Sequence, residues 1–280
     1  MSIERREFLQ QLALAMGGMA LLGTTGMASA DEVKEKPVHD MSSMPASWMG
    51  KEQIAMLMYP GFTAQDLVGP QYMFANLMGA KVCLVAQSRE PVMSDTGLAI
   101  MPTHTFDDCP RDLDILFIPG GSTGTLEAME NKILIDFVMD RGSRAKWISS
   151  VCTGSLVLGV AGLLQGYRAT SHWVMRDLLK NVGAIPVDAR VVQDRNRITG
   201  AGVTAGLDFG LTFIAKLRDQ NYAETVQLLA EYAPEPPFNA GTPKTAPTSA
   251  TKMTEDMFVG YIDRANASMK KAALNFNGVE

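Results

Sequence analysis

The sequence predicts an α/β chain: a single-domain, three-layer sandwich around a mostly parallel sheet. Short apolar runs without polar alternation, such as I-A-M-L-M-Y (54–59) and D-I-L-F-I-P (114–119), fit strands buried on both faces. Segments with apolar residues at helical spacing lie between them. Three features each sit at a strand end: P-G-G at 119–121, Cys152, and G-A-G at 200–202. In such folds that carboxyl edge is where ligands bind.

The elements follow in chain order. Arg5 and Arg6 precede Phe8-Leu9, then a charge-free run from Leu12 to Ala30 ends in Ala28-Ser29-Ala30. A charged start, apolar middle and small-x-small end describe a secretory signal over 1–30. The paired arginines resemble the twin-arginine class, which places the mature chain in a bacterial periplasm. A membrane anchor is the alternative, but the run is rich in Gly and Ala and ends in a cleavage signature. Residues 31–51 read as an irregular lead-in. His39, Met41, Met44 and Met49 are copper-ligating types; the plainer reading is a linker that packs Trp48 and a methionine on the body.

Pro60-Gly61 ends the first strand, and a helix starts in T-A-Q-D-L-V-G-P-Q-Y-M-F-A. K-V-C-L-V-A (81–86) is the next strand, and 91–104 is extended, with a hairpin around Asp95-Thr96-Gly97. A strand at 114–121 runs into the glycine turn. A helix at 132–141 follows, then a strand at 146–152 and a tight helix at 155–164. Short strands at 190–194 and 197–199 lead through the G-A-G turn into a long helix ending near 217. The body spans 52–232. Ala233 to Ala250, rich in proline and small residues, reads as a linker. Beyond it Met257, Phe258, Tyr261, Ile262, Ala265 and Met269 recur at helical spacing, so 252–274 within the 251–280 tail is an amphipathic helix. It packs on its own domain or on a second subunit, with a membrane surface as a weaker alternative. Net charge is −5, with no basic stripe or zinc-finger spacing, which argues against nucleic acid. No later run is apolar enough to cross a bilayer.

I-S-S-V-C-T-G-S-L-V-L-G (148–159) places Cys152 on a strand-to-helix turn flanked by Ser150 and Gly154. Small flanks let such a turn strain its backbone and present a nucleophile. The helix N-terminus behind the sulfur is expected to lower its pKa. Gly120 and Gly121, with the Thr153 N–H, are candidate donors to a developing anion. The plainer reading is a buried core cysteine. Cys83 reads as an inert core residue and Cys109 as part of a polar loop. An odd cysteine count leaves one thiol unpaired if disulfides stay within the chain. A Cys83–Cys109 pair is open, though no framework requires it.

F-I-P-G-G, V-C-T-G-S-L-V-L-G-V-A-G-L-L-Q-G-Y-R-A-T-S-H-W and R-I-T-G-A-G-V-T-A-G-L-D-F-G-L resemble the ThiJ/PfpI superfamily, of the flavodoxin-like, class I glutamine amidotransferase-like fold. Y-P-G-F-T-A-Q-D-L-V-G-P, S-D-T-G-L and E-Y-A-P-E-P-P-F-N-A-G-T-P narrow the likeness to its isonitrile (isocyanide) hydratase branch, over roughly 52–247. The C-T-G…R-A-T-S-H-W block also resembles the sensor halves of AraC-type regulators. About 30 residues follow the linker, too few for the usual helix-turn-helix pair, and the exported start argues the same way.

The hydratase resemblance implies a homodimer acting on a small molecule, with no cofactor and no metal: an isonitrile plus water gives an N-substituted formamide through a Cys152 thioimidate. Asp66 matches the acidic position facing the cysteine, and Thr153 its hydroxyl-bearing neighbour. From the residues alone, Asp66 also reads as a helix-start carboxylate and Thr153 as a helix-start residue. His172 keeps the superfamily's Cys–His spacing, 20 residues on, but Val174 stands where amidotransferases carry a Glu. That makes glutamine hydrolysis doubtful and favours Asp66 as acid/base. His172 either lines the pocket or is a histidine satisfied in a turn. Gly202 and Thr204 are expected to shape the far wall. Two other classes compete: another thiol enzyme, such as an amidase, peptidase or glyoxalase-like deglycase, and a non-enzymatic binding or redox-sensing protein whose Cys152 oxidises to a sulfinate.

Overall fold

The computed structural model describes residues 42–277, with side chains up to residue 274. The signal expected over 1–30, and His39 and Met41 of the copper reading, lie outside the described residues. Among the described residues no helix is long and apolar enough to cross a membrane. No group of three or more His, Cys, Asp or Glu side chains there could hold a metal ion.

The lead-in makes one short helical turn, Ala46–Trp48. Trp48 is buried edge-on against Tyr222, and its indole N–H donates to Asp219 Oδ2 at 2.8 Å. Met44 packs beside the core.

Strand β1 (Gln53–Leu57) leads to helix α1 (Ala64–Ala75), and β2 (Lys81–Ala86) follows. Strands β3 (Val92–Met93) and β4 (Ala99–Ile100) pair antiparallel around the expected 95–97 turn. Next come β5 (His104–Thr105) and β6 (Ile115–Ile118). Helix α2 (Thr123–Glu130) has no counterpart in the sequence reading. It abuts α3 (Lys132–Arg144), whose N-cap Asn131 accepts from the Leu134 N–H at 3.2 Å. Strand β7 (Trp147–Val151) feeds α4 (Gly154–Val160), shorter than the 155–164 expected. The short strands β8 (Arg168–Ala169) and β9 (Ile185–Pro186) flank a 3-10 segment at Arg176–Val182. Strands β10 (Val191–Asp194) and β11 (Arg197–Gly200) precede α5 (Ala205–Leu217). Helix α6 (Gln220–Leu229), also unforeseen, is capped by the Asp219 carboxylate on the Tyr222 N–H. The tail forms α7 (Thr248–Asn277), starting inside the expected linker. The prolines stop at Pro247, whose carbonyl takes the Ala250 and Thr251 N–H groups. A proline has no N–H bond to lose at a helix start.

The main sheet runs β10-β11-β7-β6-β1-β2-β5, parallel except for β10 on β11. Its five central parallel strands follow the flavodoxin-like order, with the chain reversing direction between β1 and β6. All four residues of β6 and the last four of β1 and β7 are buried. Phe74, Phe117, Phe209 and Phe213 pack edge-on or tilted beneath one sheet face. The turns after β1, β6, β7 and β11 therefore converge on one edge, and α7 packs there on α2, α4 and the 3-10 segment.

Candidate active site

Cys152 follows β7 with φ 56°, in the left-handed region where a side chain is strained. The surroundings hold it there. Its N–H donates to the carbonyls of Gly200 (3.1 Å) and Ala201 (2.8 Å). Its own carbonyl accepts from the hydroxyls of Ser155 (3.1 Å) and Ser171 (3.0 Å). Gly154 is needed behind it: an added Cβ would lie 2.3 Å from the Ile118 carbonyl oxygen. This is the strained elbow the sequence suggests.

The sulfur's environment differs from the expectation. The side chain is only 5% exposed, and burial pushes the thiol well above its usual pKa, with the Asp66 charge adding to the rise. The N–H groups of Val203 and Thr153 pull the other way but do not win. The helix N-terminus is thus outweighed by desolvation, and the resting sulfur is a thiol.

Asp66 sits in the first turn of α1, fully buried. Its Oδ2 accepts from the Gly120 N–H at 3.0 Å, while Oδ1 has no well-aligned partner. Burial raises its pKa to about 7, against the lowering effect of the Cys152 thiol and the Gly120 N–H. The carboxyl and thiol therefore face each other with Asp66 the first to ionise. Gly120 permits the approach, since a Cβ would fall 2.6 Å from both Asp66 Oδ2 and the Thr153 nitrogen.

Both glycine N–H groups expected in the anion cradle are already committed. Gly120 serves Asp66, and the Gly121 N–H donates to Thr153 Oγ1 at 3.0 Å. The donors aimed at the sulfur are Thr153, as expected, and Val203, which the sequence reading missed. Thr153 Oγ1 also lies 2.9 Å from the Gly121 carbonyl oxygen and 2.9 Å from Thr125 Oγ1. Thr125 in turn is 3.1 Å from the Tyr59 hydroxyl, which donates to the Pro119 carbonyl at 2.7 Å. From α7, the Tyr261 hydroxyl lies 3.5 Å from the Gly121 carbonyl oxygen. Thr125, Tyr59 and Tyr261 were not foreseen as site residues, although Tyr59 opens the Y-P-G-F-T-A-Q-D-L-V-G-P motif.

His172 stands apart from the proton chemistry. Its Nδ1 takes a long 3.4 Å contact from the Val174 N–H, and its ring lies between Trp173 and Phe258 of α7. Burial lowers its pKa, so it is held neutral. Gly202 lies against the same ring. Thr204 is exposed, and its hydroxyl accepts from Arg190 at 3.3 Å. Cys83 and Cys109 are free and buried, and burial raises the pKa of each, Cys109 to about 11. Cys109 lies in the expected polar loop, its own side chain buried while Asp107, Asp108, Arg111 and Asp112 are exposed.

A cavity of about 620 Å³ opens nearby, lined among others by Tyr59, Pro60, Met93, Gly124 and Glu127. Neither Cys152 nor Asp66 lines it. Tyr59 belongs to both surroundings, lining the cavity and joining its hydroxyl to the Thr125–Thr153 network.

The chain belongs to the DJ-1/PfpI family, which it matches over residues 52–216. It is similar to an isonitrile hydratase of Pseudomonas putida, 50% identical over 197 residues, covering 70% of this chain and 86% of that one. The crystal structure of a ThiJ/PfpI family protein from Pseudomonas syringae is 57% identical, with a TM-score of 0.80 over 85% of this chain and 98% of that one. The transcriptional regulator GbdR of Pseudomonas aeruginosa is 28% identical over 182 residues, which cover 62% of this chain and 48% of the regulator.

Proposed function

We propose that this DJ-1/PfpI protein is an isonitrile hydratase, converting R–N≡C and water to the formamide R–NH–CHO. The observation that carries the reading is the pairing of a strained, buried Cys152 with a buried Asp66 whose pKa lies near 7. Half identity to an isonitrile hydratase supports the substrate class.

The residues account for each proton. Ionised Asp66 takes the thiol proton, and the sulfur adds to the electrophilic isonitrile carbon. The carbon lone pair left by that addition takes the proton back from Asp66, giving the thioimidate R–N=CH–S–Cys152. Asp66, again ionised, removes a proton from water as hydroxide adds to the same carbon, and it protonates the nitrogen. The tetrahedral centre then expels sulfur, its hydroxyl proton returns to the thiolate, and R–NH–CHO leaves. Thr153 and Val203 N–H groups stabilise the sulfur whenever it is anionic. A neutral His172 with no hydrogen bond to Cys152 or Asp66 among the described residues takes no part. A thiol held protonated by burial also suits a base-triggered nucleophile better than a peroxide sensor, which needs a resting thiolate.

Export through a twin-arginine-type signal and assembly as a homodimer complete the proposal. The test is turnover of an aryl isonitrile by the chain from Asp31 onward, followed as formamide absorbance. Wild type turns over. An inactive wild type whose thiol oxidises readily would remove the hydratase reading.

A further inference from the structure

Three hydroxyls surround one acceptor beside the nucleophile. The Gly121 carbonyl oxygen lies 2.9 Å from Thr125 Oγ1, 2.9 Å from Thr153 Oγ1 and 3.5 Å from the Tyr261 hydroxyl. A carbonyl oxygen has two lone pairs, so it cannot hold all three donors well at once. At 3.5 Å the phenol's bond to that carbonyl is long, and the phenol also lies within hydrogen-bonding reach of the Thr125 and Thr153 hydroxyls. Catalytic hydrogen bonds that are long in the free enzyme can tighten with substrate bound.

Tyr261 arrives from a distant part of the chain, and its position is fixed. One turn after it, Arg264 makes two bonds to the Glu130 carboxylate of α2, and Ser268 adds a third at 3.0 Å. Asn266 pairs with Asn181 at 2.8 Å. Ala265 and Met269 are fully buried on the same face. One turn before it, Phe258 packs edge-on to the Tyr261 ring and faces His172. Burial holds the phenol pKa up at about 12, so it stays a donor throughout the working range.

We propose that Tyr261 is a positioning residue of the active site: its phenol takes over the Gly121 carbonyl in the reacting complex and frees the Thr153 hydroxyl to donate toward the group bound at Cys152. Thr153 Oγ1 already accepts from the Gly121 N–H, so its remaining proton is the one that Tyr261 redirects. The inference rests on the reading of Cys152 as the nucleophile. It gives the tail helix a role in the chemistry.

The test compares Tyr261→Phe, Thr153→Val and the double variant in the full mature chain. Phenylalanine keeps the ring and its packing. Tyr261→Phe is expected to lower kcat on an aryl isonitrile about tenfold, with KM and Tm near wild type. Added to Thr153→Val, it is expected to cost nothing further. An unchanged kcat in Tyr261→Phe overturns the proposal, as does an equal further loss in the Thr153→Val background. A Tm loss that accounts for the lost rate would make Tyr261 a packing residue and also overturns it. Should wild type hydrate no isonitrile, the same variants are read by alkylation of Cys152 with iodoacetamide at pH 8. A threefold or greater slowing in Tyr261→Phe that vanishes in the Thr153→Val background then supports the proposal, and an unchanged rate overturns it.

Discussion

The two walls of the site are built differently. The sheet-edge wall, which carries Cys152, Thr153, Gly120, Gly121 and the start of α1 with Asp66, is held mainly through backbone groups. The left-handed elbow is fixed by two N–H bonds and two serine hydroxyls, and Gly120 and Gly154 leave no room for a side chain. The helix wall, α7, is held by side chains: an exposed Arg264–Glu130 ion pair, one asparagine pair and a few buried apolar residues. Chemistry that demands tight placement sits on the first wall, while the second covers it and contributes a phenol. Substitutions on the two walls should differ in the same order.

The largest effects belong to the first wall. Cys152→Ala should abolish formamide production, and Asp66→Asn should lower kcat/KM by about 10³-fold. Gly120→Ala comes next, because its Cβ must displace the Asp66 carboxyl or the Thr153 backbone. A loss of at least about 100-fold is expected with a modest fall in Tm. A near-native rate would show that the Asp66 position tolerates movement.

Asp66 also sets two pH dependences. In the proposed mechanism the ionised carboxylate accepts the thiol proton, so kcat/KM should rise with pH through a limb near 7. Its folded pKa lies above its unfolded value near 3.8, so the native state holds that proton more tightly. Stability from this group is full below about pH 4 and is lost as pH rises through about 7. Asp66→Asn removes the buried charge. It should therefore melt higher than wild type at pH 8, by an amount reflecting up to a few kcal/mol, and the gap should close toward pH 4. Thermal melts across that range check the sign, and a gap that widens toward acid contradicts it.

The smallest effect belongs to the helix wall. Arg264→Ala breaks an exposed ion pair, so Tm should move by no more than about 2 °C and kcat should stay within about twofold. A much larger loss would mean that α7 is positioned by that pair, not by Ala265 and Met269.

The same contrast decides what was legible in the sequence. The elbow was readable because a strained turn demands small neighbours, and V-C-T-G-S shows them. The mostly parallel sheet was readable from apolar strand runs alternating with helices, whereas the flavodoxin-like arrangement came from the family resemblance. The donors at the sulfur were half legible: Thr153 follows the cysteine directly, but Val203 lies 51 residues on and meets it only because β11 pairs with β7. The commitment of the Gly120 N–H to Asp66 depends on a contact across 54 residues. Burial reversed the expected pKa of Cys152, since local sequence shows the helix behind a thiol but not what covers it. Helix α2 was missed because T-G-T-L-E-A-M-E starts with weak helix formers and runs into α3 with only Asn131 between. Helix α6 left a usable signal, Asp219 as cap followed by Tyr222, Ala223 and Val226 at helical spacing. The tail helix was legible as a helix, but not the docking that brings Tyr261 to Gly121.

The central claim is that Cys152 forms a covalent bond to the isonitrile carbon under the control of Asp66. Intact-mass measurement of wild type, acid-quenched during turnover of an aryl isonitrile, tests it most directly, beside Asp66→Asn, in which the adduct should form far more slowly. The account predicts a mass gain equal to the whole isonitrile, mapped to the peptide holding Cys152, because addition retains every atom of both partners. Formamide production by Cys152→Ala, or an adduct confined to Cys83 or Cys109, would contradict it.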